Sequence, residues 1–379
     1  MGHKPAAWLR AILLLLMLVS CHVHGPLETL STEADRVATG IRAHYEPRLD
    51  ELPLSLQRHY AQRLYRITGD PRFLPYQQRH AEQLLATLYR DVQGLALQPG
   101  HALERDASMS VGRSLRTERQ RQRDALLADH PGMTFATNLV FRLVQLDYYG
   151  LLDALPPEDV ALVKDWLARR EWSAFLLSEP AVRHYAAQAA NQVWFLYQLG
   201  VTDLREAFIQ RFREIYPQGQ DAVLSRAEWL NKIYGMTHIV IAASRYYQHA
   251  LPGQDFAWIT DDFVRQLPAL LESATEDVLA EVGISLALTG QVSHPAVEQI
   301  RRALISAYDP VARMIPSPSG STDFARGEHR NVLAVMLLQW PDRLHPGPSL
   351  EHSVLEFYRP LDGQTPPDGA EDISSSATN

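Results

Sequence analysis

The chain has a single cysteine, Cys21, among its 379 residues. One thiol cannot close an intrachain disulfide. There is no surplus of positive charge: 36 basic residues against 44 acidic ones leave a formal net charge of −8. That excludes a dedicated nucleic-acid binder, which neutralises phosphates with clustered Lys and Arg. Beyond the first twenty residues no apolar run is long enough to span a bilayer as a helix. Between Leu27 and Trp340 there is no convincing alternating strand pattern. His-Glu-x-x-His, Cys-x-x-Cys and clustered aspartates are absent, so no metal site is expected. A Gly-rich phosphate loop and a Gly-x-Ser-x-Gly elbow are missing too, and no cofactor is implied. What remains, 46% hydrophobic and 21% charged residues, is ordinary for a globular chain with one large core or two modest ones.

The N-terminus carries the most specific signal. Lys4 and Arg10 form a positive segment, Ala11 to Val19 an apolar one, and Leu18-Val19-Ser20-Cys21 follows. The apolar stretch is too short to cross a bilayer as a mature helix. This pattern resembles a bacterial lipoprotein signal with its lipobox; a plain secretory signal with an incidental cysteine is the alternative. The resemblance implies that residues 1–20 are removed and that Cys21 is lipidated as the first mature residue, with 21–27 as a tether. Acyl chains there anchor a protein on a membrane, not through it. The next residue is His22, not aspartate. By the rule for enteric bacteria that points to the outer membrane, facing the periplasm.

The mature chain is expected to be all-α. Two kinds of helix alternate along it. One kind is amphipathic: 157–172, 203–216, 261–272 and 294–308 carry apolar residues at helical spacing and charges elsewhere. The other is apolar nearly all round: 134–150, 186–200, 233–247, 276–290 and 331–340. Helices of the second kind need cover on every side. Alternation has a simple solution, an inner ring of buried helices wrapped by an outer ring of amphipathic ones. Gly150, Gly200 and Gly290 end three of the buried segments and fit left-handed C-caps. Their separations of 50 and 90 residues suit a helical-hairpin repeat of roughly 45–50 residues.

The segment "LYRITGDPRFLPYQQRHAEQLL" (64–85) resembles a hairpin connection of the (α/α) toroid superfamily, shared by six-hairpin glycosidases and several polysaccharide lyases. The chain is also similar to a bacterial domain-of-unknown-function family. The toroid resemblance implies a toroid or barrel of about five to six helical hairpins over 28–345, with an open α-solenoid as the alternative. Residues 346–379 form a C-terminal extension, disordered from about 362, where Pro, Gly, Ser and acids dominate. The run "RSLRTERQRQR" (113–123) places Arg113, Arg116 and Arg119 on one helical face, either solvated or open to an anionic polymer or headgroup.

In a ring of parallel inner helices the N-termini open on one side, where free N–H groups and partial positive charge favour anions. Candidate functional residues are therefore those near inner-helix starts. They are His130, Thr134 and Asn138; Glu179, His184, Tyr185, Gln188 and Asn191; Glu228, Asn231, Tyr234 and His238; Glu276, Asp277 and Glu281; and Asp323, Arg326, Glu328, His329 and Arg330. Glu276 and Asp277 can equally serve a helix dipole, and His184 and His238 can be core histidines bonded to carbonyls. Asn231, Tyr234 and His238 share one helical face. Glu281 sits in an apolar segment, where an unpaired charge is expensive. It has to be paired, with Arg326 or Arg330 as possible partners, or protonated, or facing a wet cavity.

Two enzyme chemistries fit this inventory. A glycoside hydrolase needs two carboxyls across the scissile bond, for which Glu281 and Glu328 are candidates. A lyase on uronic acids needs a group that neutralises the substrate carboxylate and a Tyr or His that moves the proton. For that chemistry His238 and Tyr234 are the candidate acid–base residues. Asn231, His184, Tyr185, Arg326, His329 and Arg330 are the candidate binding residues. The alternative function is a non-catalytic helical lipoprotein that binds a glycan, a peptide or an envelope protein.

Overall fold

The computed structural model describes residues 26–110 and 117–358. The lipobox with Cys21, the tail from 362, and Arg113 and Arg116 lie outside the described residues. Among the described residues the chain is all-α, with no strand and one isolated bridge between Asp309 and Met314.

Along the chain come α1 (Pro26–Tyr45), α2 (Leu54–Thr68), α3 (Leu74–Leu97), α4 (His101–Ser110), α5 (Glu118–Ala128) and α6 (Met133–Tyr148). Then follow α7 (Pro157–Ala168), the short α8 (Trp172–Leu176) and α9 (Glu179–His184), α10 (Ala186–Gln198), α11 (Arg205–Ile215) and α12 (Arg226–Ala243). The last are α13 (Ala257–Arg265), α14 (Leu267–Ser273), α15 (Glu276–Leu288), α16 (Pro295–Ser306) and α17 (Phe324–Leu338).

Local chemistry sets the helix ends. Thr117 with Gln120 and Ser225 with Glu228 form capping boxes that start α5 and α12. Asp323 accepts from the Arg326 N–H at the start of α17. Gly150, Gly200 and Gly290 adopt φ of 70°, 69° and 82°, the left-handed conformation that ends a helix. The stretch 261–272, expected as one helix, is two. Pro268 has no N–H to donate and crowds the preceding turn, so α13 stops at Arg265 and α14 restarts at Leu267.

Helices α12, α15 and α17 are buried all round over 231–242, 277–288 and 331–338. They are the apolar segments of the sequence. Helix α10 lies between α6 and α12, α12 beside α15, and α15 beside α17. Helix α17 lies against α2 as well as α15, and Gln62 on α2 donates to Gln145 Oε1 on α6 at 3.4 Å. This succession of inner helices brings α17, late in the chain, beside α2, near its start. The amphipathic helices cover it, turning single apolar stripes inward: Val163 and Leu167 of α7, Phe208 and Phe212 of α11, Val297, Ile300 and Leu304 of α16. Each such side chain contributes about 1.5–3 kcal/mol when fully buried. Gly235 on α12 allows one close approach, because a Cβ there would stand 2.6 Å from the Phe212 ring and 2.9 Å from Ala186.

After α17 the chain runs across the C-terminal ends of inner helices. His345 N donates to Arg66 O at 2.8 Å, Gly347 N to Gln248 Oε1 at 3.0 Å and Leu350 N to Tyr149 O at 2.9 Å. The packed body thus continues past 345, the end expected from the sequence, to Tyr358, whose hydroxyl donates to Asp159 on α7. The arginine run changes character too: Arg121 pairs with Glu118, and Arg123 turns inward to donate to the His184 carbonyl.

Candidate functional site

Residues of α2, α6, α10, α12, α15 and α17 line a cavity of about 90 Å³. Polar residues dominate the lining: Arg58, His59 and Arg63 from α2, Asn138 from α6, Gln188, Asn191 and Gln192 from α10, His238 from α12, Glu281 from α15 and His329 from α17. Thr137, Phe141, Tyr185, Phe195 and Tyr246 complete it. Larger grooves lie elsewhere, one of about 1190 Å³ beside Tyr197 and Phe256 and one of about 550 Å³ beside Arg213 and Trp258. The buried charges near the second, on Lys232 and Asp262, are paired within the protein.

Glu281 is the one carboxyl residue lining the small cavity, and it is 2% exposed. Thr237 Oγ1 donates to its Oε2 at 2.8 Å. His238 Nε2 and His329 Nε2 each stand 3.8 Å from its Oε1. Burial pushes the carboxyl up to about 8, and the nearby Asp277 adds to the rise. Glu281 is therefore a protonated acid at neutral pH. The partner anticipated from sequence is absent: Arg330 faces Glu276 at 3.6 Å, and Arg326 is exposed. The Thr237 hydrogen bond and the Arg63 guanidinium pull the other way, and burial outweighs both.

Two imidazoles are fixed by their second nitrogens. His238 Nδ1 is 3.0 Å from Asn191 Oδ1, so it carries the proton there and turns the Nε2 lone pair towards Glu281. His329 Nδ1 meets His59 Nε2 at 3.1 Å, and His59 Nδ1 meets Glu328 Oε1 at 2.9 Å. Burial lowers His329 to about 4 and holds His59 well below the usual imidazole range. Both rings are neutral at physiological pH. Burial likewise raises Glu328 to about 8.

Arg58 and Arg63 supply the cavity's positive charge. Each is 5% exposed, and the Nε atom of each has no hydrogen-bond partner. Their bonds run to neutral groups, Arg58 to Gln62 Oε1 at 3.2 Å and Arg63 to the His59 carbonyl at 3.3 Å. Among the described residues no carboxylate forms an ion pair with either. Burying a cation without a counter-ion is costly.

The wall of the cavity at Tyr246 is strained. Arg245, Tyr246 and Tyr247 follow one another at φ of 53°, 56° and 67°, where residues with a Cβ cost roughly 1–2 kcal/mol each. Surrounding bonds hold them: Tyr247 N donates to Ser244 Oγ at 2.9 Å, Arg66 Nε to the Tyr246 carbonyl at 3.1 Å, and Arg245 pairs with Asp147. The result aims the Tyr246 ring into the cavity.

Of the residues singled out from sequence, Glu281, His238, His329 and Tyr185 line this cavity, together with Gln188, Asn191 and Asn138. Others do not. Asn231 donates to Val182 O at 2.8 Å and to Tyr216 OH at 3.1 Å, and so ties α12 to the outer layer. Tyr234 donates to Asp277 Oδ2 at 2.7 Å. The shared face of Asn231, Tyr234 and His238 spans two helical turns, so each meets a different neighbour. Glu328 is fully buried behind His59 and cannot flank a substrate bond opposite Glu281. Arg326, Arg330 and His184 lie outside the lining. Sequence reasoning missed Arg58, His59 and Arg63. The available signal was a helix, α2, with three arginines, one histidine and no acid.

No curated protein and no solved structure matches the chain. A family model matches residues 34–360, which span every helix that lines the cavity. By that match the chain belongs to the family described as Domain of unknown function (DUF3541).

Proposed function

We propose that the protein is an envelope-anchored, carbohydrate-active enzyme that acts on an acidic saccharide by β-elimination. The observation that carries the reading is the charge of the cavity: two buried guanidiniums, neither in an ion pair among the described residues, beside the one carboxyl in its lining. A hydrolase would need a second carboxyl across the bond, and Glu328 lies behind His59. The return of the inner helices to their start supports a closed (α/α) toroid over an open solenoid. At about 90 Å³ the cavity has room for roughly three waters at ~30 Å³ each, the scale of a carboxylate with the edge of its ring. The remainder of the saccharide lies at the mouth.

The chemistry follows from the geometry. Arg58 and Arg63 hold the sugar carboxylate and acidify the adjacent C–H by neutralising it. The His238 Nε2 lone pair takes that proton. The C–H electrons form the ring double bond, the glycosidic C–O bond breaks, and the Glu281 hydroxyl protonates the departing oxygen. The proton gained by His238 matches the one lost by Glu281, so the cycle balances without water.

The test is turnover of a polyuronate by the full-length protein in detergent micelles, followed by ultraviolet absorbance of the unsaturated product and by reducing ends. Both signals should rise together with the polyuronate and stay flat with a neutral glucan. Arg58→Met and Arg63→Met should each raise KM about 10- to 100-fold, the loss of a charge-assisted hydrogen bond. Reducing ends without absorbance would replace elimination by hydrolysis. Binding without either signal would make the protein a receptor.

Anchoring rests on the Leu-Val-Ser-Cys sequence that ends at Cys21. Metabolically supplied palmitate should label the wild-type protein, and Cys21→Ser should abolish the label and release the protein from the membrane fraction. Unchanged membrane retention of the unlabelled variant would end the lipoprotein reading.

A further inference from the structure

Along one wall of the cavity, and ending behind it at Glu328, four side chains from three inner helices form a line. Glu328 Oε1 is 2.9 Å from His59 Nδ1, His59 Nε2 is 3.1 Å from His329 Nδ1, and His329 Nε2 is 3.8 Å from Glu281 Oε1. The first two contacts are hydrogen bonds as they stand. The third closes when Glu281 swings by roughly 1 Å, since N···O bonds form at about 2.7–3.2 Å. Glu328 is fully buried, and its second oxygen, Oε2, has no hydrogen-bond partner. A carboxyl placed there for packing alone would be poorly chosen, because burial of an acid stabilises nothing that a glutamine or methionine could not. We propose that Glu328, His59 and His329 are a proton relay that restores Glu281 from inside the protein after each transfer. This inference rests on the reading of Glu281 as the acid.

The atoms balance in both directions. With Glu281 ionised, the Glu328 hydroxyl gives its proton to His59 Nδ1. His59 passes its Nε2 proton to His329 Nδ1, and His329 passes its Nε2 proton to Glu281. Three O–H or N–H bonds break and three form. Both imidazoles end neutral as the other tautomer, and the negative charge has moved from Glu281 to Glu328. There Arg58 as well as Arg63 favours the ionised carboxyl, whereas at Glu281 it is Arg63 that does so. The line resets when Glu281 passes its proton back to His329 as it takes the one held on His238. The other groups around the relay are Asp277 beside Glu281 and His329, and Tyr45 and Tyr60, whose hydroxyls burial keeps protonated. None of these interrupts the order of transfers. Glu328, His59 and His329 are positioning residues in this scheme, since they act on substrate only through Glu281.

The test uses full-length protein with 15N-labelled histidine and no substrate. As the first carboxyl proton leaves between about pH 7 and 9, the two imidazoles should switch together from Nε2–H to Nδ1–H. In Glu328→Gln, whose side chain keeps the size and polarity but cannot ionise, the switch should vanish. Turnover of that variant should fall about 100-fold with KM unchanged. It should recover as imidazole or acetate buffer is raised, while wild type ignores the buffer. His59→Gln should behave in the same way. Independent tautomers in the wild type, or a switch that persists in Glu328→Gln, would overturn the relay. So would wild-type turnover in Glu328→Gln. A normal switch in a protein inert towards every polyuronate would sink the proposed reaction and leave the relay standing.

Discussion

Glu281→Gln is expected to reduce kcat on a polyuronate by about 10²- to 10⁴-fold, the usual contribution of a positioned general acid. The amide can keep the Thr237 hydrogen bond and fill the same space, so the loss belongs to the proton. The wild-type rate should itself fall as pH rises past about 8, where Glu281 ionises. Stability separates this from unfolding. The folded carboxyl sits at about 8 against 4.5 for the free side chain. Its contribution is therefore complete below about 4.5 and is lost as pH rises through 8, at about 1.4 kcal/mol per pH unit between them. The glutamine does not titrate. At pH 9 the inactive variant should unfold at a higher temperature than wild type, read by circular dichroism. A variant that is less stable at pH 9, or that retains activity, would remove Glu281 from the mechanism.

Asp91→Ala is expected to cost about 3–5 kcal/mol of folding free energy, read as a lower midpoint in guanidinium chloride. Asp91 is fully buried on α3 and is the common partner of three cations or potential cations. Arg142 Nη1 lies 2.5 Å from its Oδ2, and Arg105 Nε and His101 Nε2 lie 3.2 Å and 3.3 Å from its Oδ1. Removing the carboxylate strands the Arg142 guanidinium, which is only 4% exposed. Burial pushes its pKa down, and the Asp91 carboxylate acts against that shift. Asp91→Asn should cost less, since the amide oxygen still accepts. A loss below about 1 kcal/mol for the alanine would mean that Arg142 finds water once freed.

Periodicity carried most of the fold. Segments 276–290 and 331–340 are apolar on every face, a pattern with no stable solution except burial, and both became inner helices. Glu281 was legible for the same reason, as one charge among apolar neighbours. Helix α2 was not. Its Arg58, His59, Gln62 and Arg63 lie on a polar stripe, and a stripe does not say whether it faces bulk water or an internal cavity. Only the three-dimensional return of α17 to α2 turns that stripe inward. Asn231 and Tyr234 failed in the opposite sense: helical spacing put them with His238, but side chains two turns apart meet different helices.

That return has a consequence for biosynthesis. His59 and Glu328 are 269 residues apart. A chain made from its N-terminus exposes two uncompensated arginines and an unpartnered histidine until the final inner helix has emerged. The entropy of bringing such distant segments together is modest, about 5 kcal/mol by the logarithmic loop law. The delay is the harder part. Until α17 docks, α2 has a polar face with nowhere to be buried, and α15 has an apolar face with nothing to cover it. Any truncation upstream of Phe324 should therefore yield a sticky, protease-sensitive chain rather than a smaller folded protein.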